Sequence, residues 1–104
     1  MVSNKYSELG QHCQHALIQA QQAADNTPVV WESSRYEIFL HGWSRMKEEK
    51  MKEAKIPTNG VLSGGIHSLG FYVKGNGGKK QDAGTLAAYK YLKDAGYNVE
   101  LKVS

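Results

Sequence analysis

Apolar residues recur near the amino terminus at Tyr6, Leu9, Cys13, Leu17, Ala20 and Ala24, in three- and four-residue steps. That spacing places them on one face of a helix from about Asn4 to Ala24, with Gln11, Gln14, Gln21 and Gln22 on the other face. Gly10 falls inside it and is expected to loosen its first turns, because glycine costs a helix about 1 kcal/mol relative to alanine. Asn26 and Pro28 then end it. Val29-Val30-Trp31 reads as a short extended piece. Ser34-Arg35-Tyr36-Glu37 matches a capping box, in which Ser34 bonds an orphan amide and Glu37 reaches back to the cap. A second helix is therefore predicted from Ser34 to about Lys55, with Tyr36, Phe39, Leu40, Trp43 and Met46 as its apolar stripe. Gly42 within it either weakens the helix or lets another element approach closely. The segment 45–55 alternates basic and acidic side chains and reads as a solvated helix end.

Two breakers follow, Pro57-Thr58-Asn59-Gly60 and Ser63-Gly64-Gly65, so Val61-Leu62 and Ile66-His67 are either the arms of a small hairpin or a plain connection. From Ser68 to Lys74 the pattern alternates, with Leu69, Phe71 and Val73 on one side of a strand. Asp82 is the expected cap of a third helix carrying Ala83, Leu86, Ala87, Tyr89, Leu92 and Ala95, and Gly96 is its expected stop. Tyr97, Val99, Leu101 and Val103 alternate with Asn98, Glu100, Lys102 and Ser104, the clearest strand signal in the chain. A strand, a helix and a strand suggest a crossover between parallel strands. Two strands make a poor sheet, so a further strand is expected from Val29 to Trp31, from the Val61 region, or from a second copy of the chain in a homodimer. The predicted fold is α+β, or a small α/β, in the order α-α-β-α-β. Two amino-terminal helices pack on a small sheet built from the carboxy-terminal β-α-β unit.

Length and composition change this picture little. The 104 residues suit a single domain spanning 1–104, and 40% hydrophobic with 22% charged residues argues against disorder. The amino terminus has no apolar run or small-residue cleavage site, no window approaches a membrane span, and Cys13 has no disulfide partner, so a cytoplasmic protein is expected. Charge is more informative. The net +3 is unevenly placed: residues 1–56 carry seven basic and seven acidic side chains, whereas residues 57–104 carry six basic and three acidic ones. A local positive field in the carboxy-terminal half favours an anionic partner, although a modest excess also simply aids solubility.

The loop Lys74-Gly75-Asn76-Gly77-Gly78-Lys79-Lys80 lies inside that positive half. Glycines let backbone amides converge on an anion, the start of the next helix adds partial positive charge, and lysines add full charges. The loop is not a Walker A motif, whose first glycine would fall at Val73 and whose Ser/Thr would fall at Lys80, and it holds no Gly-x-Gly-x-x-Gly. Its plain alternative is a strand-to-helix turn. Tyr72, Lys74, Tyr89, Lys90 and Tyr91 interleave rings and charges as single-stranded nucleic-acid platforms do, although rings packing a small sheet need no ligand. Leu69-Gly70-Phe71-Tyr72-Val73 lacks the leading basic residue and the spacing of an RNA-recognition-motif strand.

Other chemistry is thinner. His12 and His15 share a helical face, but Cys13 lies on the apolar face and no fourth ligand stands at a zinc spacing, so no metal and no cofactor are expected. Glu37 and His41 sit one helical turn apart and could hydrogen-bond. His67-Ser68 has no acid placed to orient a base, and Cys13 has no activating charge. The expected function is a non-enzymatic binding module. It contacts nucleic acid through Tyr72, Lys74, Gly75, Asn76, Gly77, Gly78, Lys79, Lys80 and Lys90, or alternatively another protein through Trp31, Phe39 and Trp43 on the aromatic helix face, where tryptophan is a frequent hot spot.

Overall fold

The computed structural model describes residues 4–43, 48–62, 65–75 and 77–103. Met46, part of the expected helical stripe, and Asn76, part of the expected anion loop, lie outside these residues. The elements in chain order are α1 (Asn4–Asp25), β1 (Tyr36–Leu40), α2 (Glu48–Glu53), β2 (Thr58–Leu62), β3 (Ile66–Leu69), α3 (Gly78–Asp94) and β4 (Val99–Val103). The fold is α+β: α3 packs on a four-stranded antiparallel sheet in the order β2-β3-β1-β4, and α1 packs on α3 and shares one core with the strands. No helix among the described residues is long and apolar enough to cross a membrane.

The helix α1 follows its stripe closely. Leu9, Cys13, Ala16, Ala20 and Ala24 are buried, and Leu17 packs beside them. Gly10 has a different role from the loosening expected of it. A Cβ at that position would stand 1.8 Å from the Ala54 carbonyl oxygen, so glycine is what lets the chain after α2 lie against α1. Gly10→Ala is accordingly expected to destabilise the protein by about 1–3 kcal/mol despite the helix propensity gained, because backbone must move to admit the methyl group. A lowered urea midpoint at unchanged slope is the readout; an unchanged or raised midpoint would show that the contact relaxes freely.

The second helix is the main correction. Residues 36–40 form the strand β1, and among the described residues between α1 and α3 only Glu48–Glu53 are helical. The capping box does not form: the Ser34 amide donates to Asp82 Oδ2 at 2.8 Å, and Arg35 takes a left-handed φ of 53°. Tyr36, Ile38 and Leu40 are also spaced two apart, and a run of aromatic and branched side chains favours a pleated strand between two neighbours. Ile38 pairs with Leu69 on one side and with Leu101 on the other. Gly42, at φ +88°, follows the strand rather than interrupting a helix.

The strands β2 and β3 form the hairpin, with a register irregularity between Thr58 and Gly60, so the Val61 region supplies a strand and Val29–Trp31 does not. The strand expected to reach Lys74 stops at Leu69. Beyond it the alternation persists without a ladder, with Phe71 buried and Tyr72 exposed. The Gln81 side chain stands in for a neighbouring strand there. Its Nε2 donates to the Phe71 carbonyl at 2.8 Å, and its Oε1 accepts from the Val73 amide at 3.1 Å. The strands β3 and β4 do run in the same direction, since each is antiparallel to β1, but β1 separates them. The crossover through α3 therefore skips one strand instead of joining parallel neighbours.

Helix α3 also begins a turn earlier than expected. Gly77 is its N-cap, and Asp82 lies in its second turn, buried, rather than capping it. Its end is as the sequence implies. Gly96 takes φ +97°, and the amides of Gly96 and Tyr97 close back onto Lys93 and Leu92. Gly84 permits the helix crossing, because a Cβ there would stand 2.6 Å from Val73 Cγ1 and 3.2 Å from the Ala20 carbonyl oxygen.

Candidate nucleic-acid interface at the start of α3

The glycine-rich loop is tied down on both sides. Gln21, from α1, accepts from the Lys74 amide at 2.8 Å and donates to the Lys74 carbonyl at 3.0 Å. The Lys80 stem runs over Gly75, and its ammonium donates to the Ala24 carbonyl at 2.8 Å, placing positive charge at the carboxyl end of α1. The Lys79 amide donates to the Val30 carbonyl at 3.0 Å, which draws the segment 30–33 across the first turn of α3. That passage explains the next glycine. A Cβ on Gly78 would stand 2.8 Å from the carbonyl oxygens of both Trp31 and Glu32. Gly77, at φ +109°, adopts backbone that other residues avoid.

Beside this loop opens a cleft of about 500 Å³, between the start of β1, the end of β3 and the first turns of α3. Arg35, Tyr36, Glu37, Asn59, Tyr72, Gln81, Asp82 and Thr85 line it. Asp82 organises one wall: it accepts from the Ser33 hydroxyl at 3.0 Å and from the Ser34 amide at 2.8 Å, while the Ser33 oxygen in turn accepts from the Arg35 amide at 3.0 Å. This turn holds Arg35 at its positive φ, a conformation that costs a non-glycine residue energy and that concentrates at functional sites. On the opposite wall the Tyr72 hydroxyl donates to Asn59 Oδ1 at 3.0 Å. Gly70 leaves room for that bridge, since a Cβ would stand 2.6 Å from Asn59 Nδ2 and 2.7 Å from the Tyr72 ring.

Two of the expected site aromatics are largely in solvent: Trp31 is 75% exposed and Tyr72 is 69% exposed. Both stand on backbone bonded to the first turn of α3, Trp31 through Val30 and Lys79, Tyr72 through the two bonds of Gln81. Lys74 is exposed and Lys79 half-buried in the same region. Lys90 is exposed but stands roughly 17 Å from Lys79 along the helix axis at 1.5 Å per residue. Tyr89 and Tyr91 are half-buried and pack against the core.

Phe39 and Trp43 are placed differently from Trp31. Phe39 is only 9% exposed, on the sheet face away from α1 and α3, with the Lys102 ammonium 5.4 Å from its ring centroid. Trp43 follows the other end of β1 and packs against Tyr6 and Tyr97, with centroids 5.5 and 6.4 Å away. The shared helix face expected for these rings is absent because β1 is a strand.

The histidines are held by rings, a carboxylate and a backbone carbonyl. His12 Nδ1 lies 3.2 Å from the Tyr91 hydroxyl, and the His15 ring stacks on Tyr91. His41 meets Glu100 at 3.0 Å across the β1–β4 ladder instead of Glu37. His67 is buried and donates from Nε2 to the Trp43 carbonyl. Among the described residues no three His, Cys, Asp or Glu side chains come together as a metal site. Burial pushes the Cys13 thiol up to about 12. Sequence reasoning missed Arg35, Glu37, Asn59, Gln81, Asp82 and Thr85 as cleft residues. The one local signal was Asp82, read there as a cap. Comparisons with protein-family models, curated proteins and solved structures find no match to the chain.

Proposed function

We propose that this chain is a non-enzymatic binding module for single-stranded nucleic acid, engaged at the start of α3. The observation that supports it is the pair of exposed rings, Trp31 and Tyr72, both standing on segments hydrogen-bonded to that helix turn. Exposed rings on an ordered backbone stack bases at about 1–3 kcal/mol each, whatever the base. Lys74 and Lys79 meet phosphates, and Lys90 lies farther along α3 for a longer strand. Arg35 adds a planar cation at the cleft mouth. Binding rather than catalysis is favoured because Asp82, the buried acid of the cleft, is engaged with Ser33 and Ser34. A cytoplasmic setting belongs to the same reading.

Fluorescence anisotropy with labelled oligonucleotides across 50–200 mM salt tests it. Trp31→Ala and Tyr72→Ala are each expected to weaken binding by about 5- to 150-fold, and Lys79→Ala to lower the salt slope by about one. No binding to single strands at about 50 mM salt sinks the reading. A second reading, docking of another protein, is favoured by the exposed run Val29, Val30 and Trp31. It predicts contact through Trp31 that salt barely alters.

A further inference from the structure

We propose that the outer edge of β4 pairs with the β4 edge of a second copy of this chain, about a two-fold axis at Leu101, to carry the sheet across a homodimer. The strand β4 is the last in the order β2-β3-β1-β4, and among the described residues β1 is the one strand paired with it. The His41 amide donates to the Asn98 carbonyl at 2.9 Å, which makes that pair a hydrogen-bonded position of the β1–β4 ladder. Alternation along an antiparallel ladder then turns the backbone groups of Glu100 and Lys102 toward β1, and those of Val99, Leu101 and Val103 outward. The Val99 amide is already bonded to the Tyr97 carbonyl at 3.0 Å. The free ladder therefore rests on both groups of Leu101 and Val103 and on the Val99 carbonyl.

Side chains select the partner and the register. With Leu101 opposite Leu101 of the second copy, Glu100 faces Lys102 on each side of the axis, at non-hydrogen-bonded positions where side chains stand closest. Centring the axis one residue earlier or later sets Glu100 against Glu100, or Lys102 against Lys102. The Glu100 and Lys102 side chains are 47% and 60% exposed and so are accessible to a partner. A lysine on a sheet edge ordinarily discourages pairing, because it meets its own copy. Here a glutamate two residues before it converts that repulsion into complementarity with the same strand reversed. On the helix side, Val103, which is 65% exposed, comes opposite the second copy's Val99, and the half-buried Leu101 meets its mate. No β4 residue is among those that line the cleft, so the inference stands independently of the nucleic-acid reading.

Sedimentation velocity on the full chain tests it, over roughly 5–500 µM, a range suited to a small, transient interface. The unaltered protein is expected to move from monomer to dimer across the series. Glu100→Lys and Lys102→Glu each place like charges across the axis and should raise the dimer dissociation constant about 10-fold or more. Mixed one to one, the two variants face each other with opposite charges and should regain the dimer as a heterodimer. Circular dichroism of each variant alone establishes that it is folded, and recovery on mixing is a second check, since misfolded chains would not recover. A monomer at all concentrations overturns the proposal, as does a dimer that neither charge change weakens or a mixture that stays monomeric.

Discussion

Phe71→Ala is expected to lower stability by about 3–5 kcal/mol, whereas Tyr72→Ala beside it should change stability by no more than about 0.5 kcal/mol. Phe71 is 2% exposed and belongs to the core with Leu9, Ile38, Leu69 and Leu92, while Tyr72 is 69% exposed. Truncating a buried ring removes its transfer free energy and leaves a cavity that the surroundings fill only in part. Here the backbone has little freedom to close the gap, because Gln81 holds Phe71 and Val73 by two bonds to the base of α3. For a chain of this size such a loss amounts to a fall of more than 10 °C in Tm. Thermal melts of the two variants side by side provide the check. Equal effects at both positions would mean that the alternation beyond Leu69 does not separate inside from outside.

Raising the pH is expected to weaken the fold through Cys13. The thiol, ordinarily near 9.0, is pushed up to about 12 by burial among α1 and its neighbours. In the unfolded chain it ionises from about pH 9, while in the folded chain it stays neutral, so above pH 9 the unfolded state holds fewer protons. Its contribution is fully present below pH 9 and is lost as pH rises toward about 12, at about 1.4 kcal/mol per pH unit. The full loss amounts to roughly 4 kcal/mol, comparable with a large core truncation. Tyr97, raised by its own burial and by the charge of Glu8, acts in the same direction. Urea denaturation from pH 8 to 11 should show this slope in the unaltered protein and a shallower one in Cys13→Ala. Identical slopes would remove Cys13 from the account. The same burial should leave the thiol unreactive toward alkylating reagents until the chain unfolds.

How far the sequence carried the fold depended on what each segment touches. Helix α1 was legible almost to its ends because one face meets α3 and the common core while the other meets water, and a 3.6-residue stripe records that directly. The strand β4 and the glycine stop of α3 were legible for similar reasons, the first half-covered and the second required by φ +97°. The segment 34–55 was not. Tyr36, Phe39, Leu40 and Trp43 fit a helical step, Tyr36, Ile38 and Leu40 fit a strand, and a central strand buried at Ile38, Phe39 and Leu40 alike carries no clean alternation to decide between them. Part of the candidate site was equally out of reach. The basic and aromatic residues near the glycine loop could be named from composition, but the cleft depends on Ser33 meeting Asp82 across 49 positions and on Tyr72 meeting Asn59 across 13. No local pattern encodes such distant meetings. The glycines themselves answered to two demands at once, and the close passage of Trp31 and Glu32 over Gly78 accounts for that glycine without any ligand.

The central position of β1 bears on how the chain assembles. Ile38 is paired with Leu69 on one side and with Leu101 on the other, so the middle of the sheet is closed by residues far along the chain. Contacts of such long sequence separation carry a loop-closure cost that slows folding. Until residues 99–103 have been synthesised and released, the apolar segment Tyr36–Leu40 presents an unpaired strand edge, the kind of surface on which nascent chains aggregate.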